Sequence, residues 1–288
     1  LTDFEITTKY GYSISTNLPR LSALAFADDL AIIGHDVTSA TMLVNLAESS
    51  LTEIGLQINP AKSKAIILKK GKLCADNVFS LQGSIIHSLG DKKERIRYLG
   101  VDFCDEICFD KGKMIQNLSS DLNGLVSSKL LKSDQKLTVI NQFIWPTLVY
   151  PLQCAPLDQL SDTFLRNIDK LIRSAVKEIM MLPDDTPNSM LYASKKLRGL
   201  GLLCGQWEAS LQHYNICTRL LRIHDIHLHH VRDLAAEQAS TLNKLNIDPT
   251  SIMPRTTGRK LREILRNRSF QSWSQLPHKG KGVNTYAE

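Results

Sequence analysis

The stretch Phe26-Ala27-Asp28-Asp29-Leu30 constrains this chain more than any other. Leu21-Ser22-Ala23-Leu24-Ala25-Phe26 and Leu30-Ala31-Ile32-Ile33 are short, largely apolar runs. Ala27, Asp28 and Asp29 between them form strands poorly and turns well. The spacing predicts a hairpin over residues 21–34 that carries both carboxylates at its tip. Like charges this close repel, and flanking strands limit how far they can spread. A divalent cation relieves that cost and inverts the local electrostatics. Mg²⁺ commonly binds one or two carboxylates plus substrate phosphates. Two such ions roughly 4 Å apart can activate an attacking hydroxyl and stabilise a leaving oxygen in phosphoryl transfer. Most Asp-Asp pairs are solvated turn residues, so the apolar frame is the signal here rather than the pair.

After the hairpin, Gly34-His35-Asp36 breaks the pattern. Leu43, Leu46, Ala47, Leu51 and Ile54 then recur on one face of a helix over residues 38–54. Asp36 or Thr38 can cap its start, and Gly55 suits the left-handed position after its end. Leu56-Gln57-Ile58 alternates like a strand, Asn59-Pro60 turns the chain, and Ala65-Ile66-Ile67-Leu68 gives another strand. Val78-Phe79-Ser80-Leu81 and Ser84-Ile85-Ile86 flank Gln82-Gly83, and a later strand is expected from Ile96 to Phe103. Residues 1–105 therefore read as α+β, with a helix packed on an antiparallel sheet.

From about Lys111 the periodicity is helical. Met114, Leu118, Leu122 and Leu125 form one stripe. Leu137, Ile140, Ile144 and Leu148 form a second, which Pro146 should kink or end. Leu160, Phe164, Ile168, Leu171, Ala175 and Ile179 form the cleanest. A break at Pro183-Asp184-Asp185-Thr186-Pro187 and a tight turn at Gly199-Leu200-Gly201 precede a further helical stretch over 205–245.

With 288 residues and 43% hydrophobic content, the chain can bury one large core or two small ones. No apolar run is long enough for a transmembrane helix, so no membrane partner is expected. The start, Leu1-Thr2-Asp3-Phe4-Glu5, reads as a chain already under way. The six scattered cysteines fit reduced thiols better than a disulfide framework. Cys104 and Cys108 have a zinc-like spacing without a second ligand pair, and His224, His227, His229 and His230 spread around a helix instead of converging.

The net charge of +6 is carried by residues 251–288, with eight Lys/Arg against Glu263 and Glu288. A basic tail on a neutral body suits a polyanionic partner. Arg255, Arg259, Arg262 and Arg266 step by four, three and four along one helical face, which would suit phosphates. A solvated charged helix is the plainer reading.

Three motifs in order carry a family resemblance. Ala25-Phe26-Ala27-Asp28-Asp29-Leu30 resembles the carboxylate hairpin of reverse transcriptases. Gly55-Leu56-Gln57-Ile58-Asn59-Pro60-Ala61-Lys62-Ser63-Lys64 is similar to their next palm motif. Arg97-Tyr98-Leu99-Gly100-Val101 is similar to the start of their primer grip. The Gly-Leu-x-Ile-Asn-x-x-Lys-Ser form and Ala27 point to non-LTR retrotransposons. Leu197-Arg198-Gly199-Leu200-Gly201-Leu202, Ser272-Trp273-Ser274-Gln275-Leu276-Pro277 and Gly280-Lys281-Gly282-Val283 resemble the region after the thumb in R-two-type elements, which insert into ribosomal RNA genes. Arg198 departs from that pattern, where such elements usually have Gly.

The resemblance implies a partial right-hand polymerase palm followed by an all-α thumb and a helical extension. Its expected divisions are 1–105, 106–182 and 183–288. It implies RNA-directed DNA polymerisation with two Mg²⁺ ions in the complete enzyme, acting on an RNA template, a DNA primer and deoxynucleotide triphosphates in the nucleus. Asp28 and Asp29 would be catalytic metal ligands, and Lys62 would protonate the leaving pyrophosphate. Tyr98, Leu99 and Gly100 would form the primer grip. A polymerase palm also needs a third carboxylate on an upstream strand, and neither Asp3 nor Glu5 lies in the expected motif. The segment alone is therefore expected not to polymerise, with an endonuclease expected outside it. An intron-encoded maturase and a non-catalytic nucleic-acid-binding remnant are the alternatives.

Overall fold

The computed structural model describes residues 9–76, 79–91, 93–223, 225–253 and 256–277. Arg255, His224, Lys279, Lys281 and the Gly280–Val283 motif lie outside them, as do Asp3 and Glu5. The protein is α+β and divides into two compact units, one reaching Cys108 and including Asp225–Arg232, the other comprising the rest from Phe109 onward.

In the first unit, β1 (Ala23–Phe26) and β2 (Asp29–Ile32) pair antiparallel. Bridges from Gly11 to Gly34 and from Tyr12 to Leu21 extend the ladder. Helix α1 (Val37–Glu53) follows, capped by the Asp36 carboxylate, which accepts from the Ser39 N–H at 2.7 Å. That bond holds the Asp36 carboxyl below the usual carboxylate range. Leu43 and Ala47 are buried, whereas Ile54 at the helix end is 70% exposed and leaves the expected stripe. Gly55 takes the left-handed conformation that ends the helix (φ 79°).

The single antiparallel sheet read from the sequence breaks into separate ribbons. Leu56-Gln57-Ile58 joins no ladder among the described residues. The expected strand at 65–68 divides into β3 (Lys64–Ala65) and β4 (Leu68–Lys69). Strand β4 pairs with β5 (Lys72–Leu73), and β6 (Ser80–Leu81) with β7 (Ser84–Ile85), while β3 runs parallel to β8 (His87–Ser88). The expected strand from Ile96 to Phe103 is a hairpin. Strands β9 (Ile96–Tyr98) and β10 (Val101–Phe103) are joined through Leu99 and Gly100, both at positive φ (48° and 78°), and β11 (Ile107–Cys108) adds a third strand. Alternation continues across such a turn, so periodicity alone cannot see it.

The second unit is helical. Helix α2 (Lys111–Ser127) buries Leu118, Leu122 and Leu125, and packs on α5 (Asp162–Ile179), whose Phe164, Ile168, Ala175 and Ile179 are buried as spaced. Between them lies α3 (Ser133–Val139), and the kink or end expected at Pro146 takes the form of a distortion just before that residue. The chain widens into a π turn at Ile140–Ile144 and runs on as α4 (Trp145–Cys154), with Pro146 in its first turn. A proline has no N–H to donate, and the wider turn removes the need for one. Next come α6 (Asn188–Tyr192), α7 (Gly205–Leu220), α9 (Leu234–Lys244) and α10 (Gly258–Ser274), with α8 (Ile226–Val231) belonging to the first unit. One hydrophobic core runs from Leu118 to Trp273. A second gathers Leu211, Tyr214, Leu242, Leu245, Leu261 and Leu265.

Candidate carboxylate site and basic helix

The β1–β2 register places Phe26 opposite Asp29 and leaves Ala27 and Asp28 as a two-residue turn. Ala27 sits at φ 52°, a conformation usually taken by Gly in such turns. Asp28 and Asp29 are exposed at the tip, as is Phe26 at 66%. At the other end of the hairpin Gly34 touches α1, where a Cβ would lie 2.7 Å from the Ala40 Cα and Cβ. The backbone can come this close only because Gly34 has no side chain. A capped helix and a close strand–helix contact therefore hold the base of the hairpin, while its tip projects two carboxylates.

Hard oxygen donors of this kind suit Mg²⁺. Among the described residues no group of three or more His, Cys, Asp or Glu side chains could hold a metal ion. Asp28 and Asp29 supply two such donors side by side, with no third His, Cys, Asp or Glu grouped with them among the described residues.

The remaining sequence-selected residues sit on separate elements. Lys62 ends a single 3-10 turn, Pro60–Lys62, organised by the Asn59 side chain, which accepts from the Ala61 and Lys62 N–H groups at 3.0 and 3.3 Å. Its side chain is exposed. Tyr98 ends β9 with its ring edge-to-face on Phe103, 6.4 Å between centroids. Leu99 and Gly100 form the turn itself. The glycine expected for a close approach of nucleic acid is also needed by the backbone conformation of its own hairpin.

The basic stripe is divided by the fold. Arg259 is exposed on α10. Arg262 turns inward and forms a bidentate pair with Glu208 of α7, through Nε to Oε1 and Nη2 to Oε2 (2.5 and 2.6 Å). Glu208 is only 1% exposed, and its hydrogen bond holds Arg262 more firmly protonated. Arg266 donates to the Gly201 carbonyl at 2.9 Å, and burial lowers its pKa. These two guanidiniums fasten α10 to the second unit instead of facing solvent together with Arg259.

The sequence reading missed a buried carboxylate. Asp169 on α5 is 1% exposed and accepts from the Gly205 and Gln206 N–H groups (2.6 and 3.3 Å), so it caps α7 from another helix. Burial pushes its pKa up despite those bonds. Its only signal was an acid on the apolar face of a helical stripe. Arg198, the one noted departure from the family pattern, sits in the left-handed region (φ 64°), where Gly carries no steric cost.

No family model matches the chain. It is 33% identical over 187 residues to the "Retrovirus-related Pol polyprotein from type-1 retrotransposable element R2" of Popillia japonica, covering 64% of this chain and 25% of that protein. The protein of the same name from Nasonia vitripennis is 28% identical over 189 residues, covering 64% of this chain and 18% of its own length. The Pol polyprotein of the type-2 element R2DM of Drosophila melanogaster is 26% identical over 266 residues, covering 87% of this chain and 23% of its own length. The chain thus spans a quarter or less of these relatives.

Proposed function

We propose, from its similarity to the Pol polyproteins of R2-type retrotransposable elements, that this chain is a stretch of an RNA-directed DNA polymerase, with residues 1–105 as the later part of the palm, 106–182 as the thumb and 183–288 as a helical extension. The observation that carries the reading is the exposed Asp28-Asp29 pair at the tip of an apolar hairpin braced by a capped helix. In this reading the polyprotein copies element RNA into DNA in the nucleus, primed by nicked target DNA, with an endonuclease elsewhere in the polyprotein.

Asp28 and Asp29 would hold Mg²⁺, whose chemistry is to neutralise phosphate charge as the primer hydroxyl displaces pyrophosphate. Lys62 would deliver a proton to the leaving pyrophosphate. The turn at Leu99 and Gly100, with Tyr98 beside it, would support the primer end with backbone. Arg259 remains available for phosphate, whereas Arg262 and Arg266 act on the fold. With no third ligand grouped with Asp28 and Asp29 among the described residues, the 288-residue chain alone is expected not to extend a primer.

The alternative, a non-catalytic RNA- or DNA-binding remnant, shares the basic region but needs no acid pair. Extension by the polyprotein carrying this segment separates the possibilities, since it requires Mg²⁺ and Asp28 if the acid pair is catalytic, and two measurements on the purified chain test what both readings expect. Binding to an RNA–DNA duplex is expected to weaken steeply with salt, and Arg259→Glu should flatten that slope. A slope unchanged by Arg259→Glu would remove Arg259 from the interface. Primer extension by the chain is expected to be absent, and measurable extension would overturn the half-site reading.

A further inference from the structure

Cys104 and Cys108 flank the turn between β10 and β11, in a register that pairs Asp102 with Cys108 and Phe103 with Ile107. The Cys104 N–H donates to the Glu106 carbonyl at 3.0 Å, closing the turn tightly. Both cysteines are free thiols, Cys104 buried and Cys108 half-buried. Their sulfurs lie 3.0 Å apart. A disulfide needs about 2.05 Å between sulfurs, so a shift of roughly 1 Å joins them. Cys204 and Cys217, by contrast, point at Asp169 and Glu237 carboxylates.

We propose that Cys104 and Cys108 are a dithiol that closes reversibly into a disulfide, with a small-molecule disulfide of the glutathione class as the oxidant. The Cys108 thiolate, the more accessible, attacks one sulfur of the small disulfide and expels the other half as a thiolate. The Cys104 sulfur then attacks Cys108 Sγ, forms the intramolecular bond and expels the second half. The two protons lost by the protein thiols end on the two released small thiols. The dithiol is oxidised by two electrons and the small disulfide reduced by two. The bond staples β10 to β11 beside the β9–β10 hairpin of the same sheet.

Burial and the hydrogen bond with Cys104 push the Cys108 thiol up to about 11, with Arg95 pulling it down and Asp102 raising it. Asp105 faces the Cys104 sulfur at 3.1 Å. The exchange is therefore slow near neutral pH and quickens as pH rises, since the thiolate is the nucleophile.

The test is to incubate the full chain with oxidised glutathione, digest it and map the cysteines. The expected peptide spanning Cys104 and Cys108 is two hydrogens lighter, refuses alkylation, and recovers both thiols with dithiothreitol. In Cys104→Ser the second step is blocked, so a stable glutathione adduct should remain on Cys108. Equal alkylation of both cysteines before and after oxidation would overturn the proposal. So would an adduct on Cys108 that persists in the unsubstituted chain. The mapping of the unsubstituted chain decides the matter even if the variant does not fold.

Discussion

Asp169 supplies what the start of helix Gly205–Leu220 lacks, a carboxylate for N–H groups with no partner inside the helix. Asp169→Ala leaves those donors buried and unpaired, and should cost about 2–4 kcal/mol in chemical denaturation. Its folded pKa is raised by burial, so the charged form is the one the fold disfavours. The stability linked to this group is full below the ordinary Asp pKa and is lost as pH rises through the raised value. Asp169→Asn keeps an acceptor but cannot ionise. The variant should lose this part of the pH dependence, and an unchanged pH profile would contradict the assignment. Glu208 and Arg262 make the second buried charge contact. Glu208→Ala strands the guanidinium and should cost about 3–5 kcal/mol, whereas Arg259→Glu on the exposed side should leave stability within about 0.5 kcal/mol. The sequence displayed Arg259, Arg262 and Arg266 as one stripe. It could not show that the partner of Arg262 lies 54 positions earlier in the chain, or that Asp169 reaches a helix beginning at Gly205.

Among elements, those defined by local chemistry were legible. The hairpin around Ala27-Asp28 follows from its apolar runs. The cap at Asp36, the glycine stop at Gly55 and the stripe of Asp162–Ile179 lie where the spacing puts them. Elements that depend on distant pairing were not. The parallel pairing of Lys64–Ala65 with His87–Ser88 has no local signal, and the Leu99-Gly100 turn hides inside an alternating run. Pro146 marked a kink or an end on local grounds, and the helix is distorted into a π turn just before it and then continues. Gly34 makes the placement of the acid hairpin testable. In Gly34→Val the new side chain would collide with Ala40, at a cost of about 1–3 kcal/mol. The amides of Ala23–Phe26 and Asp29–Ile32 should then exchange faster, while those of Gly205–Leu220 keep their rate. Unchanged hairpin exchange would show that the close contact with α1 does not hold the carboxylates in place.

Across the whole molecule, apolar burial is uneven. The second unit contains both hydrophobic cores. The first buries Leu43, Ala47, Ile67, Leu81, Ile86 and Leu89, but leaves Leu24, Phe26, Leu56, Leu68 and Ile85 exposed. Short ribbons with few buried neighbours open at low free energy. Hydrogen exchange should therefore be slowest in Asp162–Ile179 and Gly205–Leu220 and fastest in the first unit's strands, and uniform protection would contradict that ordering. That Asp28 and Asp29 serve the chemistry is a proposal about the whole polyprotein, of which this chain spans a quarter or less in the three relatives compared above. It is tested most directly by primer extension on an RNA template by the Pol polyprotein carrying this segment, with and without Asp28→Asn. Mg²⁺-dependent extension is expected, falling by roughly a thousandfold or more on substitution with folding unchanged. Extension that survives Asp28→Asn at the parent rate would contradict it.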